Sequence, residues 1–217
     1  MLTNVYVDGF NLFYGRLKGS PCKWLNLDAL ARRLLPDHEI HRIRYFTAKV
    51  VSWPDDPDKH NRQDLYLRAL ATIPHLNVHL GRFQVSRTRM RLAEPPLTGP
   101  ATVEVIKVEE KGTDVNLGAY LMADALTHDC EFAVVISNDA DLAEPIRMAC
   151  HDYRVPVGLF TPGRLSSASW HLRQIPPAFF RQIKQQALVV CQFPEKLYDH
   201  EGVFRRPALW DPELWER

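Results

Sequence analysis

Four aspartates stand at positions where a parallel α/β sheet presents its ligands. One follows the apolar run VYV, two follow the run FAVVI within ISNDAD, and one lies in EEKGTDVNLG at the start of a predicted helix. They are Asp8, Asp139, Asp141 and Asp114. Residues just beyond the carboxyl ends of parallel strands meet in one crevice, so we expect these carboxylates to converge.

Converging carboxylates predict a bound cation. Without positive charge between them, the carboxylates would repel one another and raise each other's pKa. A ligand set made only of oxygen, without His or Cys, favours Mg²⁺ or Mn²⁺ over zinc. Such an ion lowers the pKa of bound water and stabilises the charge that develops when a phosphodiester bond is cleaved.

Several of these polar residues also have a plain structural explanation. An aspartate at a helix start, such as Asp114 or Asp139, commonly caps the helix by accepting bonds from its free N–H groups. Asn11, close to Gly9, is also a common turn former. Capping explains the segment NDAD less well, because a helix needs one cap and this segment supplies two acids in three residues.

The elements that must position these residues alternate between strands and helices. Apolar runs and helical periodicity predict strands at 4–8, 41–48, 76–80, 132–136 and 155–160, and helices at 26–35, 58–72, 114–128, 140–152 and 170–188. Unbroken apolar strands are typical of a parallel sheet that is buried on both faces. The alternating segments RFQVSRTRMRL and ATVEVIKVEE flank a link rich in proline and predict a β-hairpin insertion at about 81–108. We therefore expect an α/β domain over 1–190 and a tail over 191–217, in which Trp210 and Trp215 follow no clear period.

The bulk properties fit one domain and weaken several other kinds of site. The chain has 217 residues, and its 27 Lys and Arg nearly balance its 26 Asp and Glu, so any surface for nucleic acid must be local. Four scattered cysteines provide no C-x-x-C pair for zinc or redox chemistry. A signal peptide and a long apolar span are both missing, so we expect a soluble cytoplasmic protein with no membrane partner. The P-loop and dinucleotide glycine motifs are missing too, and Phe10 stands where an enzyme that forms an aspartyl-phosphate would carry its second aspartate.

Three separated motifs resemble the signature blocks of the NYN domain, the LabA-like branch of the PIN-like nuclease superfamily. They are YVDGFNL at 6–12, EKGTDVNL at 110–117 and VVISNDADL at 134–142, and the resemblance covers roughly residues 3–162. It implies a PIN-like three-layer α/β/α sandwich with strand order 3-2-1-4-5, in which the exits of the first and fourth strands are neighbours. It also implies that Asp8, Asp114, Asp139 and Asp141 are the catalytic, metal-binding acids and that Asn11 is the motif amide. Asn138 replaces the usual glycine of the third block.

The function implied by this resemblance is a metal-dependent ribonuclease that uses Mg²⁺ or Mn²⁺ and a water nucleophile. Single-stranded RNA is the preferred partner, with DNA left open. Asn11 is expected to position the cleft or a phosphate. Lys111 and Ser137 are expected to contact the substrate, although Lys111 equally fits a solvated charge and Ser137 a hydroxyl bonded within its own loop.

Other functions stay open beside the ribonuclease. One is a catalytically weak RNA-binding or regulatory interaction module that keeps the nuclease fold, and another is the toxin of a toxin–antitoxin pair. A homo-oligomer or a regulatory protein partner is compatible with each of them.

The hairpin insertion carries a basic stripe. Alternation along an extended strand places Arg87, Arg89 and Arg91 on one face. One interpretation is a finger that guides RNA towards the acidic cleft through forked phosphate contacts. The other is a solvated strand whose charges prevent edge-to-edge pairing.

Overall fold

The secondary structure alternates between strands and helices, as the computed structural model shows for residues 1–175 and 177–215. The strands are β1 (Leu2–Asp8), β2 (Glu39–Thr47), β3 (Leu76–Leu80), β4 (Arg82–Arg91), β5 (Thr102–Lys111), β6 (Phe132–Ile136), β7 (Val157–Thr161), β8 (Phe179–Gln182), β9 (Lys196–Asp199) and β10 (Gly202–Arg205). The helices are α1 (Gly9–Leu12), α2 (Leu27–Leu34), α3 (Lys59–Ala71), α4 (Thr113–Leu126), α5 (Ala143–His151), α6 (Trp170–Gln174) and α7 (Gln185–Val190).

A six-stranded sheet of order β3-β2-β1-β6-β7-β8 forms the centre of the domain, and its strands pair in parallel. The chain builds outward from β1 through β2 and β3, and then returns to build β6, β7 and β8 on the other side. The direction in which successive strands are added therefore reverses between the neighbouring strands β1 and β6, where Val7 pairs with Ile136. This order confirms the predicted 3-2-1-4-5 arrangement, with β8 added at one edge.

Two hydrophobic cores cover the two faces of the sheet. On one face Val5 and Ile43 pack with α2 and α3 through Leu30 and Leu70. On the other face Tyr6, Val135 and Leu159 pack with helices α4, α5 and α6. Because strands buried on both faces need apolar side chains in both directions, these runs lack the alternation of a half-exposed sheet. The predicted three-layer α/β/α sandwich is confirmed.

The predicted helix over 170–188 is wrong. The chain forms α6, then strand β8, then α7, and β8 pairs in parallel with β7 through Gly158 and Phe179. The sequence carries prolines at 176 and 177, and proline removes a backbone donor and disfavours helix at the preceding residue. Residue 176 lies outside the described part of the chain.

The segment after α7 packs on the domain. Strands β9 and β10 form a hairpin, and the ring of Trp210 lies 6.3 Å from Trp24 and 6.1 Å from Tyr66. Trp210 thus gains its partners from the core, which explains why it follows no local period. The side chain of Trp215 and residues 216 and 217 lie outside the described part.

The insertion is a separate two-stranded antiparallel sheet made of β4 and β5. Its register runs from the pair Arg82 and Lys111 to the pair Arg91 and Thr102, so the paired strands extend slightly beyond the predicted 81–108. Across residues 1–175 and 177–215, every helix is too short or too polar to cross a membrane.

Candidate functional site

Asp8 ends β1 with its carboxylate buried, and it holds the first turn of α1. Its Oδ1 accepts a 2.8 Å hydrogen bond from the backbone N–H of Asn11. Its Oδ2 accepts a 2.8 Å hydrogen bond from the hydroxyl of Ser137, just after β6. The Ser137 Oγ in turn accepts the N–H of Asp139 at 3.1 Å. The Ser137 hydroxyl therefore joins the two strand exits: it accepts a bond within its own loop and donates to Asp8 at the end of β1.

The amide side chains of Asn11 and Asn138 hold the loop after β6 in its conformation. The Asn11 Oδ1 accepts the backbone N–H of Asn138 at 3.0 Å. Asn138 then contacts the following loop, donating to the carbonyl of Ser167 at 3.2 Å and accepting from the N–H of Ser169 at 2.8 Å. Its backbone is outside the left-handed region, so the replacement of the motif glycine is accommodated without strain.

Three of the four predicted aspartates meet. Carboxylate oxygens of Asp8, Asp114 and Asp139 all lie within 4.8 Å of one another, and we call this group the acid cluster. Asp141 is exposed and lies outside the cluster, with its N–H bonded to Asp139 at 3.0 Å. Asp139 caps the short turn Ala140–Leu142 by accepting this bond, and Asp141 lies within that turn.

Burial, with a smaller contribution from neighbouring carboxylates, raises the pKa of two members of the acid cluster. Burial, followed by the charges of Asp8 and Asp139, raises the pKa of Asp114 from 3.8 to about 7. Burial also raises the pKa of Asp8, although the bonds from Asn11 and Ser137 oppose this shift. A carboxyl group that is partly protonated near neutral pH can exchange a proton, and the same three oxygens could hold a cation.

The predicted basic contacts are exposed on the hairpin strands β4 and β5. Lys111 is exposed at the end of β5, where its ammonium group lies 3.4 Å from Glu109. Arg87, Arg89 and Arg91 are exposed on β4, and Arg89 donates to the hydroxyl and carbonyl of Thr102 at 3.0 and 3.2 Å.

A cavity of about 400 Å³ is bordered by Gly9, the residue after Asp8, and was missed from the sequence. Aromatic side chains dominate its wall, among them Phe10, Tyr45, Trp53, Tyr66, Phe83 and Trp210. They come from positions spread along the whole chain, so no local spacing marks them. One sequence feature could have indicated the cavity: several aromatic residues follow Asp8, and Phe10, Phe13 and Tyr14 among them line the cavity.

Gly9 joins the cavity to the acid cluster. It follows Asp8 and lines the cavity, and a Cβ there would lie 2.7 Å from both the Tyr45 ring and the Phe46 carbonyl oxygen. Glycine is therefore required for Tyr45 to pack against this turn. Burial raises the pKa of Tyr45, and the nearby charge of Asp8 raises it further.

Cationic groups line another part of the same cavity. Lys23, Lys59 and Arg62 contribute to its wall. Burial, and then the guanidinium of Arg62, lowers the pKa of Lys23, so the two cations repel each other. Arg62 also forms an ion pair with Asp56, which lines the cavity too.

The chain matches no family model and shares its fold with a solved structure. No family model matches the chain, so the NYN resemblance and the predicted RNA contacts stay predictions. The structure is similar to that of VPA0982, a protein of unknown function from Vibrio parahaemolyticus RIMD 2210633. The TM-score is 0.53 and the identity 14%, over 85% of this chain and 93% of that chain, which supports a shared fold alone.

A relative with a named activity corrects the functional prediction. The chain is 31% identical to 6-hydroxy-3-succinoylpyridine 3-monooxygenase HspA of Pseudomonas putida (strain DSM 28022 / S16), over 98% of this chain and 75% of the relative. The prediction of a metal-dependent ribonuclease or a weakly active RNA-binding module is therefore wrong, and so is the predicted Mg²⁺ or Mn²⁺ cofactor. Carboxylates at strand exits predict where a site lies, but they serve more than one chemistry. This chain belongs to the family of the monooxygenase HspA.

Proposed function

We propose that this protein is a monooxygenase that acts on an aromatic ring carrying a carboxylate group. The observation that carries the proposal is the aromatic cavity, which has cations in its wall and the acid cluster beside it. The name of its relative supports the reaction class and describes such a substrate, a hydroxylated pyridine with a succinoyl side chain.

The reaction consumes O₂ and two electrons. One oxygen atom is inserted into the bond between a ring carbon and the hydrogen or acyl substituent that it carries, and the other leaves as water after taking up two protons and two electrons. The electrons come from an organic reductant, which we identify by class as a reduced nicotinamide acting through a flavin.

The cavity offers complementary groups for both parts of the substrate. Aromatic rings pack well against aromatic side chains such as Tyr45 and Tyr66, in offset or edge-to-face arrangements. A carboxylate is attracted to the side of the cavity that carries Lys59 and Arg62. Lys59 makes no ion pair within residues 1–175 and 177–215, so its charge is available to a ligand.

The acid cluster places a proton-exchanging group next to this cavity. Gly9 lines the cavity and directly follows Asp8 in the chain, and Asp114 shares the cluster with Asp8; the three carboxylates themselves are not part of the cavity wall. Because the reaction consumes protons and the named substrate carries an ionisable ring hydroxyl, a carboxyl group that gains and loses a proton near neutral pH is useful here.

The donor set of the acid cluster does not fit a redox metal that activates O₂. Such iron sites combine two histidines with one carboxylate, and copper sites use imidazole, whereas the cluster offers carboxylates only. The aromatic cavity fits the planar ring of a flavin, which when bound supplies the two electrons and activates O₂. The switch between β1 and β6 does not fit the flavin phosphate, because three carboxylates stand there.

The proposal is tested by measuring oxygen transfer to the substrate in the relative's name. Purified protein is incubated with 6-hydroxy-3-succinoylpyridine, ¹⁸O₂, NADH and either FMN or FAD, and the products are analysed by mass spectrometry. We expect one ¹⁸O atom in the organic product and NADH oxidation that depends on the substrate. If the product forms only with label from H₂¹⁸O, or if no flavin supports any product, the proposal is wrong.

A further inference from the structure

One face of the β4–β5 hairpin continues the wall of the cavity. Phe83 and Val108 line the cavity, and the alternation of the paired strands places Val85, Ile106 and Arg87 on the same face. We call this face the inner face of the hairpin. It also carries Glu110 opposite Phe83 and, farther from the cavity, Arg89 with Glu104 opposite it and then Arg91.

The inner face has an apolar section between the cavity and the arginines. Val85 is 51% exposed and Ile106 is 55% exposed. A two-stranded ribbon is marginally stable by itself in water, and exposed contiguous apolar surface commonly marks a place where something binds. The section begins next to Phe83, whose ring contacts Phe10 edge-to-face with centroids 5.5 Å apart.

The arginines at the far end of the inner face are available for an anion. Arg89 is held by its bonds to Thr102, but the side chains of Arg87 and Arg91 make no hydrogen bond or ion pair within the described ranges. Arg87 lies four residues from Phe83, which is about 13 Å along an extended strand. A ligand that covers the inner face therefore meets an aromatic wall first, then aliphatic side chains, and finally a positive charge.

We propose that the inner face binds a phosphorylated flavin, with its phosphate at Arg87 and its ring at the cavity wall formed by Phe83 and Val108. This inference rests on the proposed monooxygenase function, because that reaction requires a reduced organic cofactor. The acid cluster repels a phosphate from the usual position at the strand ends, so the phosphate needs cations elsewhere. Arginine suits this role because its planar guanidinium donates two parallel hydrogen bonds to phosphate.

The experiment compares FMN with riboflavin, which has the same ring and lacks the phosphate. Flavin fluorescence is titrated with wild-type protein, with Arg87→Ala and with Arg82→Ala. Arg82 is the matched control, since it is an exposed arginine on the same strand but on the opposite face. We expect Arg87→Ala to weaken FMN binding about tenfold, the smaller end of the range for bonds to a charged group, and to leave riboflavin binding unchanged. Arg82→Ala should leave both unchanged.

Several results would overturn the inference. They are absence of FMN binding to the wild type, an unchanged FMN affinity in Arg87→Ala, and equal losses in Arg87→Ala and Arg82→Ala, which would show unspecific attraction by charge. Equal weakening of FMN and riboflavin by Arg87→Ala would also count against a phosphate contact. The ¹⁸O₂ experiment separates this inference from the function, because the wild type can hydroxylate its substrate whether or not Arg87 holds the phosphate, and binding is measured without turnover.

Discussion

The hydroxyl of Ser137 donates a 2.8 Å hydrogen bond to the carboxylate of Asp8. This bond joins the ends of β1 and β6, the neighbouring strands from which the sheet is extended in opposite directions. Both residues are buried, and the same oxygen of Ser137 accepts the N–H of Asp139. One side chain thus sets the distance between two members of the acid cluster.

Ser137→Ala should destabilise the protein by about 1–3 kcal/mol, because a buried carboxylate loses a hydrogen bond. Urea unfolding followed by circular dichroism measures this difference. Ser167→Ala is the control, since that exposed hydroxyl bonds only within its own turn, and it should change the free energy of unfolding by less than about 0.5 kcal/mol. Equal effects of the two variants would contradict a special role for the Asp8–Ser137 bond.

Asp114→Asn should stabilise the protein, and the stabilisation should be larger at higher pH. The pKa of Asp114 is about 7 in the folded protein and 3.8 in the unfolded reference, so between these values the folded state binds more protons. The free energy of unfolding of the wild type therefore falls as pH rises from about 4 to 7 and is level above that range. The difference in the free energy of unfolding between Asp114→Asn and the wild type should therefore increase by about 1 kcal/mol from pH 5 to pH 8, with allowance for screening by solvent.

Thermal unfolding of both proteins at pH 5 and pH 8 tests this. The difference in midpoint between Asp114→Asn and the wild type should be larger at pH 8. Asp55→Asn, which changes an exposed aspartate that is not among the charges acting on Asp114, should leave the pH dependence of the wild type in place. A difference between Asp114→Asn and the wild type that stays constant with pH would show that the Asp114 proton is not coupled to folding.

Gly9→Ala should destabilise the protein by about 1–3 kcal/mol, because the new methyl group would overlap the Tyr45 ring and the Phe46 carbonyl oxygen. Gly163→Ala provides the comparison, since the nearest atom to its Cβ would be 3.7 Å away. Chemical denaturation of both variants measures the effect. Similar stabilities would mean that the turn after β1 relaxes to accept a side chain.

Lys59→Ala should raise KM for the carboxylated substrate about tenfold and change kcat little, because the lost contact binds a part of the substrate that does not react. This expectation depends on the proposed function. Lys49→Ala is the matched control, since Lys49 pairs with Asp64 and is not part of the cavity wall. An analogue without the carboxylate should bind Lys59→Ala and wild type equally, and a tenfold loss for that analogue as well would rule out the carboxylate contact.

Trp210→Ala should destabilise the protein by about 2–4 kcal/mol, because its ring packs against Trp24 and Tyr66. The neighbouring Leu209 is 61% exposed, and Leu209→Ala should cost less than about 0.5 kcal/mol. Differential scanning calorimetry distinguishes the two variants. If Trp210→Ala unfolds at the wild-type temperature, the tail does not contribute to the core.

Much of the fold could be predicted from the sequence, because its main determinants are local. Strands such as β1 and β6 are short apolar runs that end at polar residues, and this pattern identifies buried parallel strands without knowledge of their neighbours. Strand β8 was missed, because it is short, lies at the sheet edge and follows two prolines, so its partner β7 rather than its own pattern decides its conformation.

The sequence by itself determined that carboxylates would meet at the exits of β1 and β6, because parallel strands bring their carboxyl ends to one edge of a sheet. Tertiary structure decided that Asp8, Asp114 and Asp139 form the acid cluster and that Asp141 stays outside it. It also decided the cavity, whose wall joins residues as distant as Phe10 and Trp210. A pattern in the chain can specify which residues end a strand, but a cavity is formed by side chains that only packing brings together.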